Sequence, residues 1–183
     1  MSKPRIGVYV CQCGSNIAAT VDTEAVADFA KGLDGVVMTR VNKYSCSDPG
    51  QATIRQDIKE HNLERVVIAA CTPRMHEPTF RRTLESAGLN PYFLEMANIR
   101  EQVSWVHPEG EATTNKAMDL VAGAVERVPL QQALHSRKSP IEPSALVVGA
   151  GIAGIQAALD IADSGYKVYL VEREPTIGGR MAQ

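Results

Sequence analysis

The chain has 183 residues, of which 44% are hydrophobic, and its formal net charge at pH 7 is −2. This length accommodates one ordinary domain of about 100–200 residues and part of a second. The charge gives no basic surface of the kind that binds phosphate backbones, so we expect no nucleic-acid partner. No apolar run reaches the roughly 20 residues of a membrane helix, so we expect no membrane partner either. The first residues lack the apolar core of a secretory signal, which predicts a cytoplasmic protein.

Strand-like and helix-like segments alternate through the first part of the chain. Strands are predicted at residues 5–10, 36–41, 65–70 and 92–96, and helices at 22–31, 48–61, 78–88 and 111–134. Residues 98–106 carry no clear pattern, although Trp105 is expected to bury its ring in the core or in an interface. Alternation of this kind is typical of βαβ units, so we expect an α/β fold with a parallel, Rossmann-like N-terminal domain.

The composition changes after residue 134. Residues 135–143 combine two serines and two prolines with basic residues, which is typical of a linker. A strand, a helix and a second strand are predicted beyond it, at 145–148, 152–164 and 167–171. The predicted organisation is therefore an N-terminal domain at 1–134, a linker at 135–143 and an incomplete βαβ dinucleotide-binding unit at 144–183.

Four cysteines form the first candidate site: Cys11, Cys13, Cys46 and Cys71. Each lies at or shortly after the end of a predicted strand, and the carboxyl ends of parallel strands share one edge of a sheet. Four thiolates suit zinc, copper(I) or an iron–sulfur cluster, whereas disulfides are rare in a reducing cytoplasm. In the alternative interpretation, Cys46 and Cys71 are buried small side chains and the Cys-x-Cys pair is a redox-active dithiol. Arg74 is either a cation beside such a site or part of a solvated surface.

A glycine-rich turn forms the second candidate site. Gly149, Gly151 and Gly154 complete a GxGxxG pattern directly after a predicted strand and at the start of a predicted helix. These glycines allow a tight turn, approach of a pyrophosphate to the backbone and close helix–strand packing, respectively. Glu172 ends the next predicted strand, where a carboxylate can accept hydrogen bonds from a ribose. The pattern predicts dinucleotide binding and leaves the choice between NAD and FAD open.

The sequence resembles the family of heterodisulfide reductase A-type subunits over essentially all of its length. The similar stretches are CQCGSNI at 11–17, YSCSDPG at 44–50, AACTPRMHEPTF at 69–80, EMANIREQ at 95–102 and VEREPTIGGRMAQ at 171–183. The resemblance implies a cytoplasmic, anaerobic flavoprotein of methanogenesis in which 4Fe-4S clusters and FAD divide electron pairs between two acceptors. It favours FAD over NAD and makes the four cysteines candidate ligands of a 4Fe-4S cluster.

The resemblance also implies partners, namely B-type and C-type subunits and a hydrogenase or dehydrogenase module that supplies electrons. Because the sequence stops before the rest of such a flavin domain, we expect weak or absent FAD binding and no catalysis by this chain alone. Two unsatisfied strands further predict a homodimer. A zinc-stapled interaction domain and a thiol–disulfide module remain the alternative functions.

Overall fold

The computed structural model describes residues 3–182. These fall into two units, and the boundary in the sequence lies between His135 and Ser136. The first unit contains a four-stranded parallel sheet in the order β2-β1-β3-β4. Its strands are β1 (Ile6–Cys11), β2 (Val36–Asn42), β3 (Arg65–Ala70) and β4 (Leu94–Asn98). Its helices are α1 (Thr23–Lys31), α2 (Asp48–Glu60), α3 (Pro73–Ser86) and α4 (Glu111–Arg127).

Two hydrophobic cores cover the two faces of this sheet. Successive residues of a strand point to opposite faces, so Val8 and Val10 pack on the side of α1 and α4 while Tyr9 and Cys11 pack on the side of α2 and α3. The central strands β1 and β3 are therefore buried on both faces, as expected for a parallel sheet. The predicted α/β class with a parallel, Rossmann-like first domain is confirmed.

Several predicted boundaries of the first unit differ from the structure. Helix α3 begins at Pro73, since Thr72 caps its N-terminus and Pro78 is accommodated inside the helix. Helix α4 ends at Arg127 and is followed by a short 3-10 turn, Val128–Leu130, because Pro129 has no N–H to continue the helical hydrogen bonding. Strand β4 begins two residues later than predicted, and the unassigned stretch after it contains a π-helical turn, Arg100–Ser104.

The second unit contains two parallel strands joined by one helix. Strands β5 (Ser144–Val148) and β6 (Lys167–Val171) pair along their length, and α5 (Ile152–Asp163) connects them. A short 3-10 turn, Gly179–Met181, follows. This is the predicted βαβ unit. Among the helices of residues 3–182, none combines the length and hydrophobicity that a membrane span requires.

Candidate metal centre and nucleotide-binding turn

The four cysteines lie on three loops at the carboxyl edge of the first sheet. Cys11 is the last residue of β1 and Cys13 follows two residues later. Cys46 lies in the loop between β2 and α2, and Cys71 comes directly after β3. Since β1 lies between β2 and β3, these loops are neighbours. All four cysteines are free thiols.

Two of the sulfur atoms are deeply buried and the other two are partly accessible. Cys11 is 4% exposed and Cys71 is 6% exposed, whereas Cys13 and Cys46 are of intermediate exposure. The backbone N–H of Ser45 donates to the Cys11 Sγ at 3.4 Å, which links the first and second loops. Such N–H···S contacts stabilise a thiolate and are typical of metal-bound cysteines.

The first loop turns sharply at its second cysteine. Cys13 has a φ of 50° and Gly14 has a φ of 63°, so two successive residues adopt the left-handed conformation. A Cβ at Gly14 would lie 2.6 Å from the Tyr44 hydroxyl oxygen, so the second loop packs closely on this turn. Backbone strain at a non-glycine residue is common at functional sites, and here it orients a candidate ligand.

The thiols influence one another electrostatically. Burial raises the pKa of Cys71 to about 11, Arg100 acts in the opposite direction, and Glu101, Cys13 and Cys46 raise the pKa further. Burial also raises the pKa of Cys46, with additional increases caused by Cys11 and Cys13. Four thiolates gathered in this environment would repel each other unless cations compensated their charge, which a metal centre does.

The spacing of the sulfur atoms bears on the kind of metal centre. A single zinc ion with Zn–S bonds of about 2.3 Å holds its four sulfurs about 3.8 Å apart. Within residues 3–182, the only set of three or more candidate ligands with all ligand atoms within 4.8 Å of each other is Asp57, Glu60 and His61. Within the described residues, no three of the cysteine sulfurs therefore lie as close together as in a bound mononuclear zinc site.

Arg100 completes the cysteine site, and sequence reasoning missed it. It lies in the π-helical turn after β4, and its Nη1 donates to the Cys13 Sγ at 3.2 Å. Arg74, the cation suggested by sequence proximity, is exposed. Trp105 is 57% exposed, so it is not in the core, and its ring instead lies 4.6 Å from the Arg100 guanidinium. The only sequence signal for Arg100 was its place in the EMANIREQ stretch.

The glycine-rich turn of the second unit uses each glycine for a different reason. Gly149 has a φ of 96°, which other residues rarely adopt. A Cβ at Gly154 would overlap the carbonyl oxygen of Gly149, so no side chain fits there. A Cβ at Gly151 would meet nothing within 4 Å, so this side of the turn is open to a ligand. These are the three properties that a pyrophosphate-binding turn requires.

Polar groups around this turn also suit a dinucleotide. Gly151 precedes α5 without a side-chain cap, so the first N–H groups of the helix are available to an anion. Glu172 accepts hydrogen bonds from the backbone N–H groups of Glu174, Ala150 and Arg173 at 3.0, 2.7 and 2.7 Å. These bonds lower the pKa of Glu172 and keep it a carboxylate, the form that accepts hydrogen bonds from ribose hydroxyls.

The GG pair that follows β6 returns to the same turn. Gly178 N–H donates to the Ala150 carbonyl at 2.7 Å and forms an isolated parallel bridge with Gly151. Gly179 has a φ of 55°, and a Cβ there would lie 3.2 Å from the Gly151 Cα. The residues present therefore fit a dinucleotide at this turn.

Comparison with known proteins shows which proteins the chain resembles. The sequence profile of a family described as FAD dependent oxidoreductase matches residues 145–183. The chain is 59% identical over 181 residues to the iron-sulfur A-type subunit of the CoB–CoM heterodisulfide reductase of Methanocaldococcus jannaschii. It is 60% identical over 182 residues to the second iron-sulfur A-type subunit of the Methanopyrus kandleri enzyme. These alignments cover 98% and 99% of the chain but 28% of each relative. A protein of Archaeoglobus profundus, named for its likeness to heterodisulfide reductase A-type subunits, is 57% identical over 99% of the chain and 26% of its own length.

Proposed function

Since the chain belongs to the family of heterodisulfide reductase A-type subunits over the roughly 28% of those proteins that it spans, we propose that it is an iron–sulfur electron-transfer module of an FAD-dependent oxidoreductase. Cys11, Cys13, Cys46 and Cys71 would hold one 4Fe-4S cluster. The observation that carries this proposal is the gathering of four free cysteines on three neighbouring loops of one sheet edge.

The names of similar proteins favour a cluster over a zinc ion. The relatives from Methanocaldococcus jannaschii and Methanopyrus kandleri are both named as iron-sulfur subunits. The contacts made by Ser45 and Arg100 to the sulfurs are of the kind that tunes an electron-transfer centre.

A bound cluster would supply one-electron chemistry, which FAD can collect in pairs. The chain's own residues would hold the two groups: the cysteines would bind iron, Gly149, Gly151 and Gly154 would let the FAD pyrophosphate approach the backbone, and Glu172 would accept hydrogen bonds from the ribose. In the complete protein we propose flavin-based electron bifurcation in the cytoplasm. Its partners would be heterodisulfide reductase B-type and C-type subunits and a hydrogenase or dehydrogenase module.

Anaerobic metal and sulfide analysis of the chain tests the cluster. We expect about four irons and four sulfides per chain and a reduced-state EPR signal, and Cys71→Ala should remove the signal and most of the iron. Ser86→Ala, near the far end of α3, is the matched control and should keep both. Stoichiometric zinc without sulfide would support a zinc-stapled interaction domain instead, and reactive thiols without metal would support a thiol–disulfide module.

A further inference from the structure

Three hydrogen bonds and an aromatic contact hold the guanidinium of Arg100 in place. Its Nη1 donates to the Cys13 Sγ at 3.2 Å, and its Nε and Nη2 donate to Glu101 Oε1 at 3.2 and 2.8 Å. The ring of Trp105 lies 4.6 Å away on another side. The Arg100 side chain is only 12% exposed, so its positive charge acts on the Cys13 sulfur with little screening by water.

Glu101 extends this contact to a second cysteine loop. Its Oε2 accepts a hydrogen bond at 2.9 Å from the backbone N–H of Thr72, the residue directly after Cys71. Its own N–H donates to the Asn98 side chain at the end of β4, which fixes the π-helical turn to the sheet. The Arg100–Glu101 pair therefore connects the Cys13 loop to the Cys71 loop. Irregular turns of this type occur frequently at functional sites.

Arg100 differs from the other groups that contact the thiols. In residues 3–182, it is the only charged side chain that forms a hydrogen bond with a cysteine sulfur, whereas the contact to Cys11 comes from an uncharged backbone N–H. Glu101 places a compensating negative charge next to it. The two residues thus bring opposite charges to one centre through separate contacts.

We propose that Arg100 and Glu101 are paired positioning residues that set the reduction potential of the cysteine-bound centre. The inference rests on the proposed function. Each electron that enters the centre adds one negative charge, so a fixed cation beside Cys13 favours the reduced form and a fixed anion beside the Cys71 loop disfavours that form. Arg100 therefore raises the reduction potential, and Glu101 limits this increase while it holds the Cys71 loop in place.

Three substitutions in the full 183-residue chain test this assignment. Arg100→Gln removes the cation, Arg100→Lys keeps the charge but loses the planar fork, and Glu101→Gln removes the anion while keeping an oxygen that can accept from Thr72. Iron and sulfide content is measured first, and the midpoint potential is then obtained by redox titration followed by EPR. We expect a more negative potential for Arg100→Gln, a more positive potential for Glu101→Gln and an intermediate value for Arg100→Lys.

A second ion pair on the same sheet provides the control. Arg127 donates to Glu95 on β4 at 3.0 Å, and neither residue contacts a cysteine. Arg127→Gln and Glu95→Gln change the net charge of the protein by the same amounts as the test substitutions. Both control variants should keep the wild-type potential.

Shifts of opposite sign for Arg100→Gln and Glu101→Gln support the assignment, because loss of structure alone does not move the potential in two directions. Unchanged potentials, or shifts equal to those of the controls, overturn it. If Arg100→Gln retains no iron, the shift of the midpoint potential in Glu101→Gln tests the assignment. A more positive potential supports it, and a more negative one overturns it. Loss of iron from all three variants reduces the pair to a structural role and also overturns the assignment. A wild-type chain without iron contradicts the proposed function itself and is recognised before any variant is compared.

Discussion

A Cβ atom at Gly154 would overlap the carbonyl oxygen of Gly149, so α5 packs on the turn after β5 only because residue 154 has no side chain. Gly154→Ala therefore forces the helix away from the strand, at a cost of about 1–3 kcal/mol. We expect the amide protection of α5, measured by hydrogen exchange, to fall by roughly 5- to 150-fold.

Gly151→Ala is the matched control for this prediction, since the added methyl group would meet nothing within 4 Å. Its amide protection should equal that of the wild type. In a flavin-binding form of the protein, the same methyl group should weaken FAD binding because it occupies the space of the pyrophosphate. Equal protection in the Gly154→Ala and wild-type chains would contradict the packing argument.

Tyr9 predicts how the stability of the first unit depends on alkaline pH. Its hydroxyl is buried, and burial together with the negative charge of Asp57 raises its pKa above the usual value of about 10. The folded protein thus holds this proton more tightly than the unfolded chain does. The associated stability is complete below about pH 10 and is lost as the pH rises toward the folded pKa.

Tyr9→Phe removes this titration without changing the shape of the core. In urea unfolding at pH 7, we expect its free energy of unfolding to lie within about 1 kcal/mol of the wild type. Between about pH 10 and 11 the variant should lose less stability than the wild type. The control is Tyr166→Phe, which alters an exposed tyrosine and should follow the wild-type profile. Parallel profiles for all three proteins would argue against the role of Tyr9.

The proposed linker predicts where a protease cuts first. Residues 135–143 are exposed and contain no helix or strand, and Arg137 and Lys138 supply trypsin sites within them. Exposed, irregular backbone is the preferred site of nicking. Limited trypsin digestion followed by mass spectrometry should therefore separate the two units before other fragments appear. The double variant Arg137→Gln/Lys138→Gln should survive longer, whereas first cleavage inside α4, at Lys116, would count against this boundary.

The positions of the cysteines were predictable because local signals place them. Apolar runs end at Cys11 and at Cys71, and the parallel arrangement of such runs brings their ends together. The glycine-rich turn was also predictable from local signals, because the backbone conformation or close contact that requires each glycine arises within a few residues of it. The proline in the first turn of α2 was also readable from sequence.

The contact between Arg100 and Cys13 could not be predicted because it joins residues 87 positions apart and no periodic pattern marks it. The π-helical turn that presents Arg100 has no established sequence signature, and the stretch around it showed neither helical nor strand periodicity. Of the two positions expected for Trp105, the core and an interface, the structure excludes the core. Apolar character alone predicted burial, whereas the ring lies against a guanidinium near the surface.

The second unit predicts the association state of the isolated chain. From residue 136 to residue 182, only Ala150 is buried, and apolar side chains of both strands, such as Val148 and Val171, are half exposed or more. Two strands and one helix bury too little apolar surface to offset the loss of chain entropy. We therefore expect this unit to associate with the same unit of a second chain, giving a homodimer by light scattering.

We also expect weak flavin binding, because the contacts described within residues 144–182 suit the pyrophosphate and the ribose and not the isoalloxazine ring. Flavin titration followed by gel filtration should leave the chain without stoichiometric FAD. Leu146→Lys, at an exposed apolar position of β5, should shift the dimer toward monomer, and Lys138→Gln in the linker should not. A monomeric wild-type chain that carries stoichiometric FAD through gel filtration would contradict both expectations, because a unit able to hold the cofactor would already have a covered apolar face.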